Sequence, residues 1–452
     1  MKKVFLAISM LAVAFGFTAC SNEDEAVNNA KKGKATVVAF TENETRTALS
    51  GSDTEGYQVV WSEGDKITIG TETFDIDEKS IAGTTAKFTG NKLDEDTYTA
   101  LYGINEMVWP SKQTYKEGNV ANFPMYAEAT VDAEGNISPL QFKNLGGLLK
   151  LTVKGEKVIK KIEIESADQI AGTISKNKRG NFILAKPTLG QAITTITLDC
   201  GDGVKLTESG TDFYIALFAK SYTNVSIRLY DTDGTICLRT LKSEYSLAID
   251  RSQITKASFS AKNFDKKAIT KDSPVGFVGL ISSTEGIVVK LGDKNVVIAT
   301  KNVGATTIDG GAGSENIDDA SCYGTLVDKM ALSIYDESAF GGAGWRLPTV
   351  GELTALSGNM EWNSDRHGVE WKVTKESTLY MPAAGAKVMN PMGNPPITFG
   401  DVGNMGYYWS SLDDTHIFVF GEKEKSLNRY SPLNTSIKYY YRIRAFHDMP
   451  TE

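Results

Sequence analysis

The chain has 452 residues, 41% hydrophobic, 23% charged and 10% aromatic, a globular composition too long for one domain of ordinary size. Its formal net charge is −8 without a basic stripe, which excludes nucleic acid as a partner, because phosphates demand clustered Lys and Arg. With only 3 His and 4 Cys, zinc or iron–sulfur chemistry lacks raw material, and neither a metal nor a cofactor is expected.

Residues 1–19 read as an export signal. Lys2 and Lys3 give a positive start, and Val4–Phe17 is apolar but short for a membrane span. Phe17-Thr18-Ala19-Cys20 resembles a bacterial lipobox, with Phe17 where Leu is usual. The reading predicts cleavage before Cys20 and lipidation of its thiol. Each buried acyl methylene adds about 0.8 kcal/mol, so several chains anchor a protein firmly to a membrane. Residues 20–35 form a polar tether without apolar periodicity. Its acidic run, Glu23-Asp24-Glu25, resembles the surface-export signal of lipoproteins in gut and oral anaerobes with two membranes, and also fits a plain solvated linker. Beyond Cys20 stand Cys200, Cys237 and Cys322, an odd number that cannot make a full disulfide framework. A Cys200–Cys237 bridge and buried free thiols both stay open.

From Ala35 to about Ser260, short segments of period 2 are broken by Gly, Asp and Asn. Leu149, Leu151 and Val153 alternate with Lys150, Thr152 and Lys154. Val225, Ile227 and Leu229 run into the hairpin signal Asp231-Thr232-Asp233-Gly234 and then Ile236-Cys237-Leu238. Turns at this density predict antiparallel β-sandwiches, and Gln141–Gly147 makes a boundary between units at 36–147 and 148–262.

Residues 263–271 (NFDKKAITK) read as a charged linker, and composition then changes. The stretch 272–452 holds Trp345, Trp362, Trp371 and Trp409 together with His367, His416 and His447. It opens on a hairpin, Ile287–Leu291 and Val296–Ala299, turning at Gly292-Asp293. Thr349 and Glu352 make a capping box for a short helix with apolar Leu353 and Leu356, closed by Gly358.

Two stretches carry a resemblance. VVAFTENETRTALSGSDTEGYQVVWSEGDKITIG (37–70), LQFKNLGGLLKLTVKG with VIKKIEIESADQIAGTIS (140–175) and FYIALFAKSYTNVSIRLYDTDG (213–234) resemble the fimbrillin family of type V pili. That resemblance implies two transthyretin-like β-sandwiches, export as an outer-membrane lipoprotein, and polymerisation with other pilin subunits. It also implies that a trypsin-like protease cuts after Arg46, removing the first strand, and that another chain fills the groove left behind; a plain strand-end charge is the alternative for Arg46. ATKNVGA, WRLPT, MPAAG, YYWSS and YRIRAF, in that order within residues 272–452, resemble the FISUMP-type major paralogous domain. That domain is a relative of C-type-lectin-like folds, so an α+β unit with paired N- and C-terminal strands is implied. The family's usual final Cys is missing from Arg442-Ile443-Arg444-Ala445, and with it any family disulfide.

A WRLPT-like signature also occurs in formylglycine-generating oxidases, but those use a late cysteine pair, and Cys322 precedes the motif. Asp318-Asp319 and Asp413-Asp414 lack EF-hand spacing and read as solvated loop carboxylates, and His416 reads as structural or exposed. Trp345 and Trp409, inside fold-defining motifs, read as core. Trp362 and Trp371 flank Asn363, Asp365 and His367; rigid rings beside polar groups suit sugars or peptides, or else plug the underside of a loop. The leading expectation is a non-enzymatic pilus subunit at a fibre tip or in an accessory position, with a glycan or host-matrix ligand on its last domain. A monomeric glycan-binding lipoprotein and a glycan-active enzyme, whose two carboxylates need not be adjacent in sequence, stay open.

Overall fold

The computed structural model describes residues 33–41, 49–52, 56–120, 123–187, 192–241, 245–305, 323, 325–332, 340, 342, 344–392, 397–411, 416–430 and 436–451. The chain is mainly β, as the density of turns predicts. Among the described residues no helix is long and apolar enough to cross a membrane.

β1 (Lys34–Thr41) buries Ala35, Val37, Ala39 and Thr41 and turns the residues between them outward. A small hairpin, β2 (Leu49–Ser52) and β3 (Gly56–Val59), follows. β4 (Lys66–Ile69), β5 (Glu72–Ala82), β6 (Thr85–Asn91) and β7 (Thr97–Tyr102) then run as antiparallel neighbours. The chain leaves this sheet for β8 (Val108–Trp109), β9 (Lys112–Lys116) and β10 (Asn119–Val120). It returns as β11 (Met125–Thr130) and β12 (Leu140–Asn144). Hydrogen bonding closes seven of these strands into a barrel, in the order β1-β12-β11-β7-β4-β5-β6.

Gly146 and Gly147 open the next unit because a side chain has no space there. A Cβ on Gly146 would sit 2.2 Å from the Leu217 carbonyl oxygen and 2.4 Å from the Trp109 ring. The unit comprises β13 (Gly146–Lys154), β14 (Val158–Glu165), β15 (Gly172–Lys176), β16 (Phe182–Leu184), β17 (Thr195–Lys205) and β18 (Thr211–Phe218). It continues with β19 (Ser221–Tyr222), β20 (Ser226–Asp231), β21 (Thr235–Thr240), β22 (Leu247–Ala248), β23 (Ile254–Ser260) and β24 (Lys266–Lys267). One sheet runs β18-β13-β23, and a larger one runs β10-β9-β17-β14-β20-β21-β24. The β8–β10 excursion therefore belongs to this second unit, where β9 lies parallel to β17. Its Gln113 side chain acts as a piece of backbone, donating to the Ala216 carbonyl (2.7 Å) and accepting from the Ala216 N–H (2.9 Å). A single apolar core runs through both units, from Val37 and Trp61 through Trp109 to Leu151 and Ile164. Cys200 and Cys237 are both free and buried in the second unit, so no bridge joins them, and burial pushes the Cys200 thiol up to about 12.

The stretch 263–271 is no loose linker: β24 extends the second unit's sheet beside β21, and Lys266 reaches Glu285 of the next hairpin at 2.6 Å. That hairpin consists of β25 (Val278–Ile281), β26 (Thr284–Leu291) and β27 (Lys294–Ala299), with Gly292 at φ +60 in the two-residue turn. β28 (Val327–Asp328), α1 (Lys329–Leu332) and β29 (Trp345–Arg346) lead to α2 (Val350–Ser357). The Thr349–Glu352 capping box forms as expected, with Leu353 and Leu356 buried, although Gly358 is right-handed at φ −67. β30 (Glu361–Asn363), β31 (Gly368–Lys372) and β32 (Thr378–Pro382) form a three-stranded sheet. A last sheet joins to β28 the strands β33 (Ala384–Met389), β34 (Ile397–Val402), β35 (Met405–Trp409), β36 (His416–Gly421), β37 (Lys425–Arg429) and β38 (Lys438–Tyr441). β39 (Phe446–Asp448) comes back to pair with both β27 and β29.

The five motifs of this unit meet in its interior. Trp345 and Trp409 are fully buried, as expected of core residues. The Asn302 amide donates to the Tyr323 carbonyl (2.8 Å) and the Tyr408 hydroxyl (3.0 Å). Arg442 and Arg444 are each only 1% exposed. Between Tyr441 and Phe446 the chain is largely irregular rather than a strand. Arg444 spends its guanidinium on backbone, donating to the carbonyls of Ala299 (2.8 Å) and Tyr380 (3.0 Å), and burial lowers its pKa.

Candidate functional site

The strand between β6 and β12 is the part of the barrel closest in sequence to Arg46. β1 pairs antiparallel with β6 over seven residues, from Lys34↔Asn91 to Phe40↔Thr85, and parallel with β12 only from Ala39 to Thr41. Its inward residues are small. Beside Ala35, across the ladder, lies Gly90 with the Phe74 ring against it; beside Val37 lies Phe88, and Ala39 lies between Ala86 and Leu140. Phe74, Phe88, Ala86 and Leu140 are fully buried. A β1 taken away would expose these apolar flanks together with the ladder groups of β6 and β12, a site that another strand can complete.

Trp61 grips β1 directly. Its indole N–H donates to the Ala39 carbonyl at 3.3 Å, and its ring meets Phe88, Tyr102 and Phe142 edge-on at centroid distances of 4.9, 5.4 and 5.7 Å. The following turn is held by Asp65, which accepts from the Ser62 N–H (2.7 Å) and the Tyr102 hydroxyl (2.9 Å). Burial raises the Asp65 pKa against the pull of those hydrogen bonds and of Lys116, and burial likewise raises that of Tyr102. The same turn lines a pocket of about 390 Å³ with Thr68, Tyr102 and Asn105. The Val-x-Trp-x-x-Gly-Asp pattern at 59–65 thus places one indole under β1. Sequence reasoning took Trp61 as a family marker only; its distance of 22 residues from Ala39 leaves no local signal of the contact.

The residues singled out in the third unit separate onto two faces. Trp362 pairs with Val369 and Trp371 with Leu379, so both rings share the face of buried Val369, Leu379 and Met381. Both are half-buried against that core. On the opposite face, the Asn363 amide donates to Glu370 (2.9 Å), Arg366 lies over the Tyr380 ring (3.8 Å to its centroid), and the Tyr380 hydroxyl reaches the Arg366 carbonyl. Asp365 is exposed at the turn, and His367, at φ +52, sets Nδ1 3.1 Å from the Gly403 carbonyl oxygen. Asn363, Asp365 and His367 stay together on the 363–368 turn, while the two tryptophans face inward. His416 is half-buried on β36, its N–H donating to Ser410 Oγ. Among the described residues no group of three or more His, Cys, Asp or Glu could hold a metal ion. Cys20, Arg46, Cys322, Asp318-Asp319 and Asp413-Asp414 lie outside the described residues.

No protein-family model and no curated protein matches the chain. Among solved structures it is similar to a putative cell adhesion protein from Bacteroides ovatus, at 12% identity and TM-score 0.32, over 51% of this chain and 92% of that one. A fimbrial protein from Bacteroides ovatus aligns over 93% of this chain and 100% of that one, at 11% identity and TM-score 0.24. A C-terminally truncated tip fimbrial protein from Porphyromonas gingivalis aligns over 46% and 81%, at 10% identity and TM-score 0.20. Likeness at these scores decides nothing about the present chain, whose reading rests on its own residues.

Proposed function

We propose that this chain is a surface pilus subunit that assembles by strand addition, acting at a fibre tip or in an accessory position. On this reading Cys20 is lipidated and holds the precursor on the outer membrane, until cleavage after Arg46 frees β1 together with that anchor. The vacated groove then takes a strand from another fimbrillin-type pilin. The single observation that supports this best is β1 itself. It is a strand with small residues on its buried face, seated between β6 and β12 and held across the barrel by the Trp61 indole, with Arg46 five residues past its end.

The third unit is proposed as a FISUMP-type, C-type-lectin-like domain that binds a glycan or host-matrix ligand. The 363–368 turn carries Asn363, Asp365 and His367 at the surface for this, with Trp362 and Trp371 stiffening the sheet beneath. No catalytic activity is proposed. The first role is tested by N-terminal sequencing of protein stripped from the cell surface. Chains beginning at Thr47 are expected; a surface population beginning only at Cys20 would remove the strand-addition reading.

A further inference from the structure

We infer that the groove under β1 selects its occupant by size: it admits a partner strand whose alternate, inward residues are no larger than Val, and pins that strand's backbone through Trp61. The inference rests on the proposed release of β1 and adds to it the chemistry of the partner. Four inward positions of β1 carry Ala35, Val37, Ala39 and Thr41, all under 9% exposed, so the strand now in place defines the available depth.

The residues flanking β1 leave no reserve of space. At the Ala35 end, a Cβ added to Gly90 would come within 2.6 to 2.8 Å of three atoms of the Phe74 ring, so that ring already fills the space beside Ala35. At the Ala39 end, Ala39 lies between Ala86 and Leu140, with the Trp61 ring wedged against Phe88 and Phe142. Interiors are packed at crystal-like density, so a longer side chain at either end must push aromatic rings off their rotamers. The outward position Thr36 is free of this limit: it is exposed, and its hydroxyl meets that of Thr89 at 3.1 Å.

The Trp61 indole adds a polar constraint. It is 2% exposed and gives its hydrogen to the Ala39 carbonyl, so a strand seated one residue out of register would bring the wrong face inward. Strands rich in Phe, Leu or Tyr at alternate positions are excluded, and strands of the Ala/Val/Ala/Thr kind are admitted.

The test uses the full chain, cleaved after Arg46 by a trypsin-like protease, and fluorescent peptides spanning residues 33–45. Three peptides are compared: the natural one, one with Ala39→Phe, and one with Thr36→Phe. Capture of the natural and Thr36→Phe peptides at similar affinity, with Ala39→Phe at least tenfold weaker, is the expected result. Equal capture of all three peptides, with β1 shown by mass to have left, overturns size selection while leaving strand addition standing. Cleavage without release or exchange of β1 overturns both. In the cleaved Trp61→Phe variant, which keeps an aromatic ring, capture should weaken about three- to tenfold for the natural peptide. Unchanged capture there removes the pin.

Discussion

Arg228 shows how a single buried charge ties one face of the second unit together. It is 4% exposed, and its guanidinium meets Glu165 at 2.8 Å and Glu163 at 2.9 Å. Glu163 is further held by the Lys161 ammonium (2.7 Å) and the Tyr230 hydroxyl (2.6 Å). Burial alone would raise the Glu163 pKa; Arg228, Lys161 and Tyr230 together outweigh it and bring it below the ordinary value. Arg228→Ala leaves buried Glu165 and half-buried Glu163 side by side without their shared cation and is expected to lose about 3–5 kcal/mol, by urea denaturation. The sign for pH follows from the lowered pKa. The Glu163 contribution is fully present above the unfolded carboxyl pKa, about 4.3, and is lost as pH falls through the folded value. Glu163→Gln should therefore be less stable than the parent at pH 7, with the difference shrinking below about pH 4. A difference that does not change with pH would contradict this assignment. None of the network could be read from sequence, where Glu163 and Glu165 alternate with isoleucines just as a solvated strand face would. Arg444 makes the same point: period 2 marks which residues share a face, and backbone carbonyls can satisfy a guanidinium on a face that is buried.

Elements defined by local chemistry were legible, and those defined by distant pairing were not. The hairpin turns at 231–235 and at Gly292-Asp293, and the cap of α2, appear where the residues place them, because each depends on a few neighbouring backbone groups. The β8–β10 excursion has no such signal. Its parallel pairing with β17, some 85 residues on, is set by the core around Trp109 and by Gln113, and closure of the first sheet into a barrel leaves the same period-2 pattern as an open sheet. The α2 cap yields a test at this scale. Glu352 accepts from the Thr349 N–H (2.7 Å) and also holds Arg346 through two contacts of 2.9 and 2.7 Å. Thr349→Ala should therefore cost about 1 kcal/mol, while Glu352→Ala should cost more, because the half-buried Arg346 guanidinium also loses its two contacts with Glu352 and keeps Asp448 as its carboxylate partner. Urea unfolding followed by tryptophan fluorescence distinguishes the two; equal losses would mean that Arg346 gains nothing from Glu352.

At the scale of the whole molecule, the placing of strands decides what the subunit can give and what it can take. A shaft subunit in a strand-addition fibre must hand one strand forward while receiving another. Under the proposed role, β1 is the strand whose release would leave a groove, which would equip the molecule to receive. The last strands of the second unit are committed: β23 lies in register beside β13 from Leu148↔Ile254 to Lys154↔Ser260, and β24 closes the edge at β21. β38 is held by β28 and β33, and β39 by β27 and β29, around fully buried Ile443, Ala445 and Phe446. Drawing out β39 would open the core of the third unit, a penalty on the order of a domain's stability of about 5–15 kcal/mol. The proposed place is therefore one where a single junction suffices. Immunogold labelling with antibody against residues 270–452 is expected to mark fibre ends or isolated points on the cell surface. Regular label along the shafts would show that a strand is handed on after all, and would rule the placement out.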